Sequence, residues 1–260
     1  MILEIEIREF ARKNGVPETT VERDYAQNWL LYGLSKIKMA LKGGTGIRKV
    51  FIQDYKFSDD LDFTLLEDLE AERVEELIVK AVREAKRESG IDFDENIGFD
   101  EVENGYEVRV YFRILRKSGS PLRVKIDITK RNKEAIVLPL EKRKIIHPYS
   151  DNCNAEVLAY SLQEIFAEKI RSLFQRTRPR DLYDVWHLSK LELDVCKIIN
   201  EKFRFKGVEF NVDSLLNRKD DFKNAWESSL RHQMRDLPDF NTVFGYVVEF
   251  MEGILNEKTG

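Results

Sequence analysis

The hydrophobic pattern of this 260-residue chain changes near residue 155, and that change limits what the chain can fold into. Before it, residues 61–65, 106–115 and 121–129 alternate apolar and polar side chains, as half-buried strands do. After it, apolar residues recur at the three- to four-residue spacing of helices over 161–175, 181–190, 195–203, 212–217, 219–230 and 239–256. We therefore expect an α+β region over residues 1–152 and an all-helical C-terminal region over residues 153–260.

Two helices and a hairpin are also expected in the first region. Residues 18–41 keep helical spacing until Gly43-Gly44, which predicts a helix with a threonine cap and a glycine terminator. Residues 67–89 predict an amphipathic helix that ends at Gly90. The strands at 106–115 and 121–129 are separated by a short glycine-containing segment, so they should pair antiparallel.

Composition excludes several classes of protein. The first residues, MILEIEIREFARKNG, mix acids and bases, and no apolar run approaches the roughly 18 to 20 residues that span a bilayer. We therefore expect a cytoplasmic protein with no membrane partner. Cys153 and Cys196 have neither the spacing of a zinc site nor the number needed for a disulfide framework.

Charge is distributed unevenly along the chain, although the net charge is only −4. Residues 59–106 hold 17 acids and 5 bases, whereas residues 107–150 hold 12 bases and 4 acids. A concentrated basic segment predicts a surface for phosphate, and therefore for RNA. The residues that we assign to this surface are Arg113, Arg116, Lys117, Lys130 and Arg131.

Three acids on the predicted strands form the candidate catalytic centre. Asp60 and Asp62 are two residues apart at the start of a strand, so their side chains share one face and can share a cation. Asp127 belongs to the strand 121–129, where it points with Lys125 away from the apolar residues. Three such carboxylates are typical of two-metal phosphoryl transfer, and oxygen ligands favour Mg²⁺ held together with substrate phosphates.

A glycine turn precedes these acids. In Gly43-Gly44-Thr45, backbone N–H groups can approach a triphosphate and the threonine hydroxyl can donate a hydrogen bond. The order of residues is not that of a Walker A loop, which argues against a P-loop ATPase. Each feature also has a structural explanation: the glycines can cap a helix, the acids can form a solvated turn, and Asp127 can pair with Lys125.

Charged residues in the helical region complete the set of candidates. Lys169 lies beside the apolar stripe of its predicted helix, where a lysine can also lie along the surface with its ammonium group in water. Arg180 belongs to an arginine cluster of the kind that grips phosphate oxygens. Asp181 begins the next helix, where an acid also serves as an N-terminal cap, and Asp184 follows one turn later.

Four ordered motifs within residues 20–190 together resemble the AbiEii/AbiGii toxin family. They are Lys42-Gly43-Gly44-Thr45, Tyr55–Phe63, Lys125-Ile126-Asp127, and Glu164–Lys169 leading to Pro179–Asp184. The resemblance implies a polymerase-β-type nucleotidyltransferase core with a mixed or antiparallel sheet. It further implies the toxin of a toxin–antitoxin or abortive-infection system, with Mg²⁺ or Mn²⁺ as cofactor, an NTP as substrate and a cognate antitoxin as partner.

The resemblance also assigns roles to residues of this sequence. Asp60, Asp62 and Asp127 would bind metal, with Asp127 alternatively acting as base, and Lys169 would assist them. Nucleotide-binding roles would fall to Gly43, Gly44, Thr45, Ser58, Lys125, Arg180, Asp181 and Asp184.

Three functions are compatible with these residues. The first is transfer of a nucleoside monophosphate from an NTP to an RNA hydroxyl, with the tRNA acceptor end as one candidate acceptor. The second is nucleotide or RNA binding by a regulator without turnover. The third is a phosphotransferase that modifies a protein.

Overall fold

The structure, a computed structural model, describes the backbone of residues 1–259 and the side chains through residue 255. The chain divides into two compact units. The first unit comprises Met1–Glu134 and Pro139–Tyr160, and the second comprises Ala135–Leu138 and Ser161–Gly260.

Within the part of the chain that the structure describes, the first unit contains one sheet of eight strands. The strands are β1 (Met39–Lys42), β2 (Asp60–Leu65), β3 (Asp92–Phe93), β4 (Gly98–Val102), β5 (Gly105–Arg113), β6 (Leu122–Thr129), β7 (Glu141–Lys144) and β8 (Glu156–Ala159). Their order across the sheet is β3–β5–β6–β2–β1–β8–β7, and β4 also pairs with β5. The predicted antiparallel pairing of β5 with β6 is confirmed.

The sheet is mixed, because β2 pairs with β6 and β1 pairs with β8 in parallel, while the other pairs are antiparallel. Residues 153–260 were expected to be helical throughout, but β8 lies inside that range. This strand and β7 have only four residues each, which is too short for a period of two to stand out from a helical pattern.

Three longer helices accompany the sheet: α1 (Glu4–Asn14), α2 (Glu18–Leu34) and α4 (Ala71–Ser89). The helix expected over 18–41 ends at Leu34, and Met39–Lys42 forms the central strand β1 instead. All four β1 residues are buried between neighbouring strands, so tertiary pairing overrides their helical spacing. The expected threonine cap is also wrong, because the N-cap is Pro17 and makes no side-chain hydrogen bond.

The glycine pair has a different structural role from the one expected. Gly43–Gly46 form the short helix α3, which continues into a π-helical turn, Ile47–Phe51. The glycines therefore lie between β1 and a new helix and do not terminate α2.

One face of the sheet is packed against helices in a continuous core. Leu61, Phe63 and Leu65 of β2 are almost fully buried in it. Helices α2 and α4 approach each other closely at Gly33, where an added Cβ would lie 2.2 Å from the carbonyl oxygen of Ala81. Only glycine permits this approach.

The second unit is helical, as predicted. Its helices are α5 (Leu162–Gln175), α6 (Pro179–Leu188), α7 (Cys196–Lys206), α8 (Val212–Leu216), α9 (Lys219–Leu230) and α10 (Phe240–Thr259). The segment 135–138 joins this unit because the Glu164 carboxylate accepts hydrogen bonds from the N–H groups of Val137 at 2.7 Å and Leu138 at 2.9 Å. Among the described residues, no helix has the length and apolar character needed to cross a membrane.

Candidate active site

The candidate catalytic acids lie on two adjacent strands. Asp60 and Asp62 share the face of β2 opposite the buried Leu61 and Phe63. In the parallel register with β6, Asp62 lies beside Asp127, and Asp60 lies beside Lys125. The prediction that Asp127 and Lys125 share the less buried face of β6 is confirmed, since the residues that alternate with them are buried.

Lys125 links two carboxylates across this face. Its Nζ lies 3.1 Å from Oδ1 of Asp127 and 2.8 Å from Oε2 of Glu107, which is the β5 residue beside Asp127. Burial alone would lower the pKa of Lys125, but its hydrogen bonds to Glu107 and Asp127 outweigh burial and raise it. The hydrogen bond from Lys125 is also the main reason that the pKa of Glu107 is lowered.

The carboxyl group of Asp127 has a raised pKa. Partial burial raises the pKa first, and the negative charge of Asp62 raises it further, while Lys125 opposes both effects. A neighbouring like charge disfavours ionisation of a carboxyl group unless a cation neutralises it. The pair Asp62–Asp127 is therefore a place where an additional positive charge would be stabilised.

The glycine turn is in direct contact with this pair. Gly43 has a φ of +70°, and a Cβ added there would lie 2.3 Å from Oδ2 of Asp62. Gly44 and Thr45 are buried in the short helix α3 that follows. The Thr45 hydroxyl donates a hydrogen bond to the backbone carbonyl of Asp60, which ties the turn to the start of β2.

Two residues of α2 that sequence reasoning missed hold the segment before β2. Arg23 Nη1 lies 3.2 Å from Oδ1 of Asp59, so this acid is held in an ion pair with α2. Gln27 Nε2 donates to the carbonyl oxygens of Ser58 at 3.0 Å and Asp59 at 3.1 Å. The only signal in the sequence was that Arg23 and Gln27 are four residues apart on one helical face.

The arrangement of the acids meets some of the requirements of a binding site for a hard cation and lacks others. Asp62 and Asp127 bring carboxylate oxygens, which Mg²⁺ and Mn²⁺ prefer, to adjacent positions with a surplus of negative charge. Among the side chains that the structure describes, no three His, Cys, Asp or Glu residues form a group that could hold a metal ion. The three-carboxylate site that includes Asp60 therefore stays a prediction.

Lys169 lies in a buried ion-pair cluster of the second unit. Its Nζ is 2.7 Å from Oδ1 of Asp181 and 2.7 Å from Oδ2 of Asp184, and Arg176 Nε is 2.8 Å from Oδ2 of Asp181. Burial opposes both charges, yet the ion pairs raise the pKa of Lys169 and hold the pKa of Asp181 well below its usual range. Arg180 is partly exposed at the start of α6.

The residues assigned to RNA fall into two sets at opposite ends of β6. Arg113, Arg116 and Lys117 lie at the β5–β6 connection, and Lys130 and Arg131 follow the other end of β6. The eight residues of β6 separate the two sets by about 25 Å. The basic segment therefore does not form a single patch. Lys130 is also paired with Glu101 at 2.6 Å.

Comparison with known families gives a match over most of the chain. A family model described as "Nucleotidyl transferase AbiEii toxin, Type IV TA system" matches residues 29–246. This range includes every residue considered above for catalysis or nucleotide binding. No curated protein sequence matches the chain.

Solved structures of similar fold include proteins from two bacteria. MenT4, a nucleotidyltransferase toxin from Mycobacterium tuberculosis H37Rv, aligns with a TM-score of 0.69 at 17% identity, covering 98% of this chain and 90% of that one. A Helicobacter pylori protein provisionally assigned as a nucleotidyltransferase aligns with a TM-score of 0.57 at 17% identity, covering 93% and 98%. JHP933 from Helicobacter pylori aligns with a TM-score of 0.50 at 18% identity, covering 94% and 96%. At these identities the likeness concerns the fold.

Proposed function

Because the chain belongs to the AbiEii family of nucleotidyltransferase toxins of type IV toxin–antitoxin systems, we propose that it transfers a nucleoside monophosphate from an NTP to a hydroxyl of RNA. The acceptor end of tRNA is the candidate acceptor, and the cytoplasm is the proposed place of reaction. The observation that carries the proposal is the position of Asp62 beside Asp127, with the backbone of Gly43 against the Asp62 carboxylate.

In this reaction the acceptor hydroxyl oxygen forms a bond to the α-phosphorus of the NTP. The bond from that phosphorus to the bridging oxygen of the β-phosphate breaks, and pyrophosphate leaves. The hydroxyl proton passes to a base, for which Asp127 is the candidate because its pKa is raised by burial and by Asp62. A raised pKa makes a carboxylate a better proton acceptor.

Asp60 and Asp62 would hold Mg²⁺ or Mn²⁺ at this face, and Asp127 would complete that site as the alternative to acting as the base. The ion would neutralise charge on the phosphates and the attacking oxygen. Lys125 would stabilise negative charge on the same face, because it already lies between the carboxylates of Asp127 and Glu107.

The glycine turn would bind the triphosphate through its backbone. At Gly43 and Gly44 there is no side chain between the backbone and the acidic face, and Thr45 fixes the turn to the strand by its hydrogen bond to Asp60. Ser58 is proposed to contact the phosphates from the segment that Gln27 holds. The contributions of Lys169, Arg180, Asp181 and Asp184 to nucleotide binding stay predictions of the family resemblance.

The experiment is incubation of purified protein with total RNA, Mg²⁺ and each α-labelled NTP in turn. The Asp60→Ala/Asp62→Ala variant and a sample with EDTA are run in parallel. We expect label in RNA with at least one NTP, and its loss in the variant and without metal. Thermal unfolding of both proteins checks that the variant remains folded.

Other outcomes would favour the other functions. Tight NTP binding without label in any RNA would contradict transfer and support a regulator. Label from γ-labelled ATP in a protein, without label from α-labelled ATP, would support a phosphotransferase. Family membership also implies an antitoxin, whose addition would be expected to reduce toxicity in growing cells.

A further inference from the structure

Strand β7 lies at one edge of the sheet and is exposed. Among the strands that the structure describes, it pairs with β8 alone. The side chains of Lys142 and Arg143 are 69% and 54% exposed. The unpaired backbone of an edge strand is a template for one more strand.

The direction of the free backbone groups follows from the register with β8. The N–H of Ile145 donates to the carbonyl of Ala155 at 3.0 Å, so residues 145 and 155 form a hydrogen-bonded antiparallel pair. Such pairs alternate along a ladder, which makes Arg143 the next hydrogen-bonded residue. The N–H and C=O groups of Lys142 and Lys144 therefore point away from β8, toward the edge. The next outward N–H, that of Ile146, donates to the carbonyl of Lys49 at 2.6 Å, so the open part of the edge ends at Lys144.

A cavity of about 560 Å³ lies beside this edge. Its apolar lining is Tyr32, Ile145, Cys153 and Ala155, and its polar lining includes Lys36, Lys142, Lys144 and Glu156. Lysines on an edge strand can also serve only to prevent non-specific pairing with other sheets. That explanation does not account for the cavity beside the strand. Alternate side chains of an added strand would point to this face and enter the cavity.

We propose that β7 is a docking edge for an extended acidic segment of a partner protein, which adds to the sheet as a further strand. This inference goes beyond nucleotidyl transfer and does not depend on it. Backbone hydrogen bonds to Lys142 and Lys144 supply the register, and an apolar side chain of the partner fills the cavity. Acidic residues of the partner pair with the lysines, whose present surface ion pair, Lys142 with Glu156 at 2.9 Å, costs little to exchange.

The same geometry argues against two other occupants. RNA phosphates would meet the outward carbonyl oxygens of Lys142 and Lys144, whereas a polypeptide strand satisfies donors and acceptors alike. A second copy paired antiparallel about Arg143 would place Lys142 opposite Lys144 of the other copy, and like charges directly opposite each other are destabilising.

The test uses a capped peptide of alternating glutamate and valine, and a matched peptide with lysine in place of glutamate. Binding is measured by fluorescence anisotropy, and amide hydrogen exchange is followed at Lys142 and Lys144. We expect the acidic peptide to bind and to protect both amides. Lys144→Pro removes one outward N–H without touching the bonds to β8, and should weaken binding roughly tenfold relative to Lys144→Ala.

Charge reversal provides a second, independent readout. Lys142→Glu/Lys144→Glu should reverse the preference, so that the lysine peptide binds more tightly than the glutamate peptide.

Equal binding by Lys144→Pro and Lys144→Ala would overturn strand addition, as would no protection of either amide by saturating peptide. Protection of the same amides by an RNA oligonucleotide but not by peptide would assign the edge to RNA. A concentration-dependent dimer that protects them would assign it to a second copy. If Lys144→Pro does not fold, the exchange measurement on the unaltered protein decides.

Discussion

Gly43 has a left-handed backbone conformation directly against the carboxylate of Asp62. Its φ of +70° is one that residues with a side chain rarely adopt, and an added Cβ would overlap Oδ2 of Asp62 at 2.3 Å. Two separate costs thus oppose any side chain at this position: backbone strain and displacement of a proposed metal ligand. Gly119 has a similar φ of +85° but no atom within 4 Å of an added Cβ.

We therefore predict that Gly43→Ala lowers nucleotidyl transfer much more than Gly119→Ala. Both variants should lose about 1 kcal/mol of unfolding free energy through backbone strain, and only Gly43→Ala should displace Asp62. Urea unfolding and RNA labelling are measured on both. Equal activity of the two variants would show that the contact between Gly43 and Asp62 does not matter for transfer.

The ionised carboxylate of Asp181 makes a contribution to the free energy of unfolding that depends on pH. Burial alone would raise its pKa, but Lys169 and Arg176 hold that pKa well below the ordinary value of 3.8. Asp181 therefore takes up a proton near pH 3.8 in the unfolded chain but stays ionised at that pH in the folded chain. Its contribution to stability is present above this pH and is lost as the pH falls below it. We predict a steeper loss of unfolding free energy below about pH 4 for the unaltered protein than for Asp181→Asn. Parallel slopes for the two proteins would refute this contribution.

Helices α5 and α6 are joined through one buried ion-pair cluster, in which Lys169 of α5 lies between two carboxylates of α6. Removing one partner from such a cluster leaves buried charge uncompensated, which costs more than the net stabilisation that the intact cluster supplies. Because the catalytic role of Lys169 is a prediction from the family resemblance, its structural contribution has to be measured separately from its effect on activity.

We predict that Lys169→Met lowers the unfolding free energy by about 3 kcal/mol or more. Lys190→Met removes an exposed lysine whose Nζ lies 3.1 Å from the centre of the Trp186 ring, and should change stability by less than about 1 kcal/mol. Chemical denaturation of the two variants gives the comparison. If Lys169→Met is as stable as Lys190→Met but inactive, the role of Lys169 is catalytic alone.

Helices and strands with a clear hydrophobic period were predictable from the sequence. Those whose secondary structure depends on pairing with distant strands were not. Strands β2, β5 and β6 and the helices of the second unit were expected because each has several repeats of its period. Met39–Lys42 continues the apolar spacing of α2, so only its burial between β2 and β8 makes it a strand.

The candidate site divides in the same way. Asp60, Asp62, Asp127 and Lys125 were placed on one face by strand alternation alone, and the face is confirmed. The parallel register that sets Asp62 beside Asp127 joins residues 65 positions apart and has no local signal. The ion pair between Arg23 and Asp59 likewise depends on how α2 packs against the segment before β2, and the hydrophobic period of α2 does not specify that packing.

Across the first unit, the basic residues assigned to RNA occupy both ends of the β5–β6 hairpin. An RNA that crosses the acidic face would contact both sets, whereas a shorter contact would involve one. The salt dependence of binding distinguishes these cases, because each phosphate contact adds to the slope of affinity against salt.

We predict that Arg113→Glu/Arg116→Glu and Lys130→Glu/Arg131→Glu each weaken RNA binding and each reduce the salt slope. Lys142→Glu/Lys144→Glu, which alters two bases outside both sets, is the matched control and should leave the slope unchanged. Filter binding at several salt concentrations measures all three. An effect confined to one hairpin end would restrict the RNA to that end.

The most direct test of the proposed centre is label transfer from an α-labelled NTP to RNA by Asp127→Asn compared with Glu107→Gln. Both variants remove a negative charge from a carboxylate that contacts Lys125, but only Asp127 adjoins Asp62. We expect Asp127→Asn to lose about two orders of magnitude in rate and Glu107→Gln to retain activity within about tenfold. Equal activity in the two variants would contradict a centre built on Asp62 and Asp127.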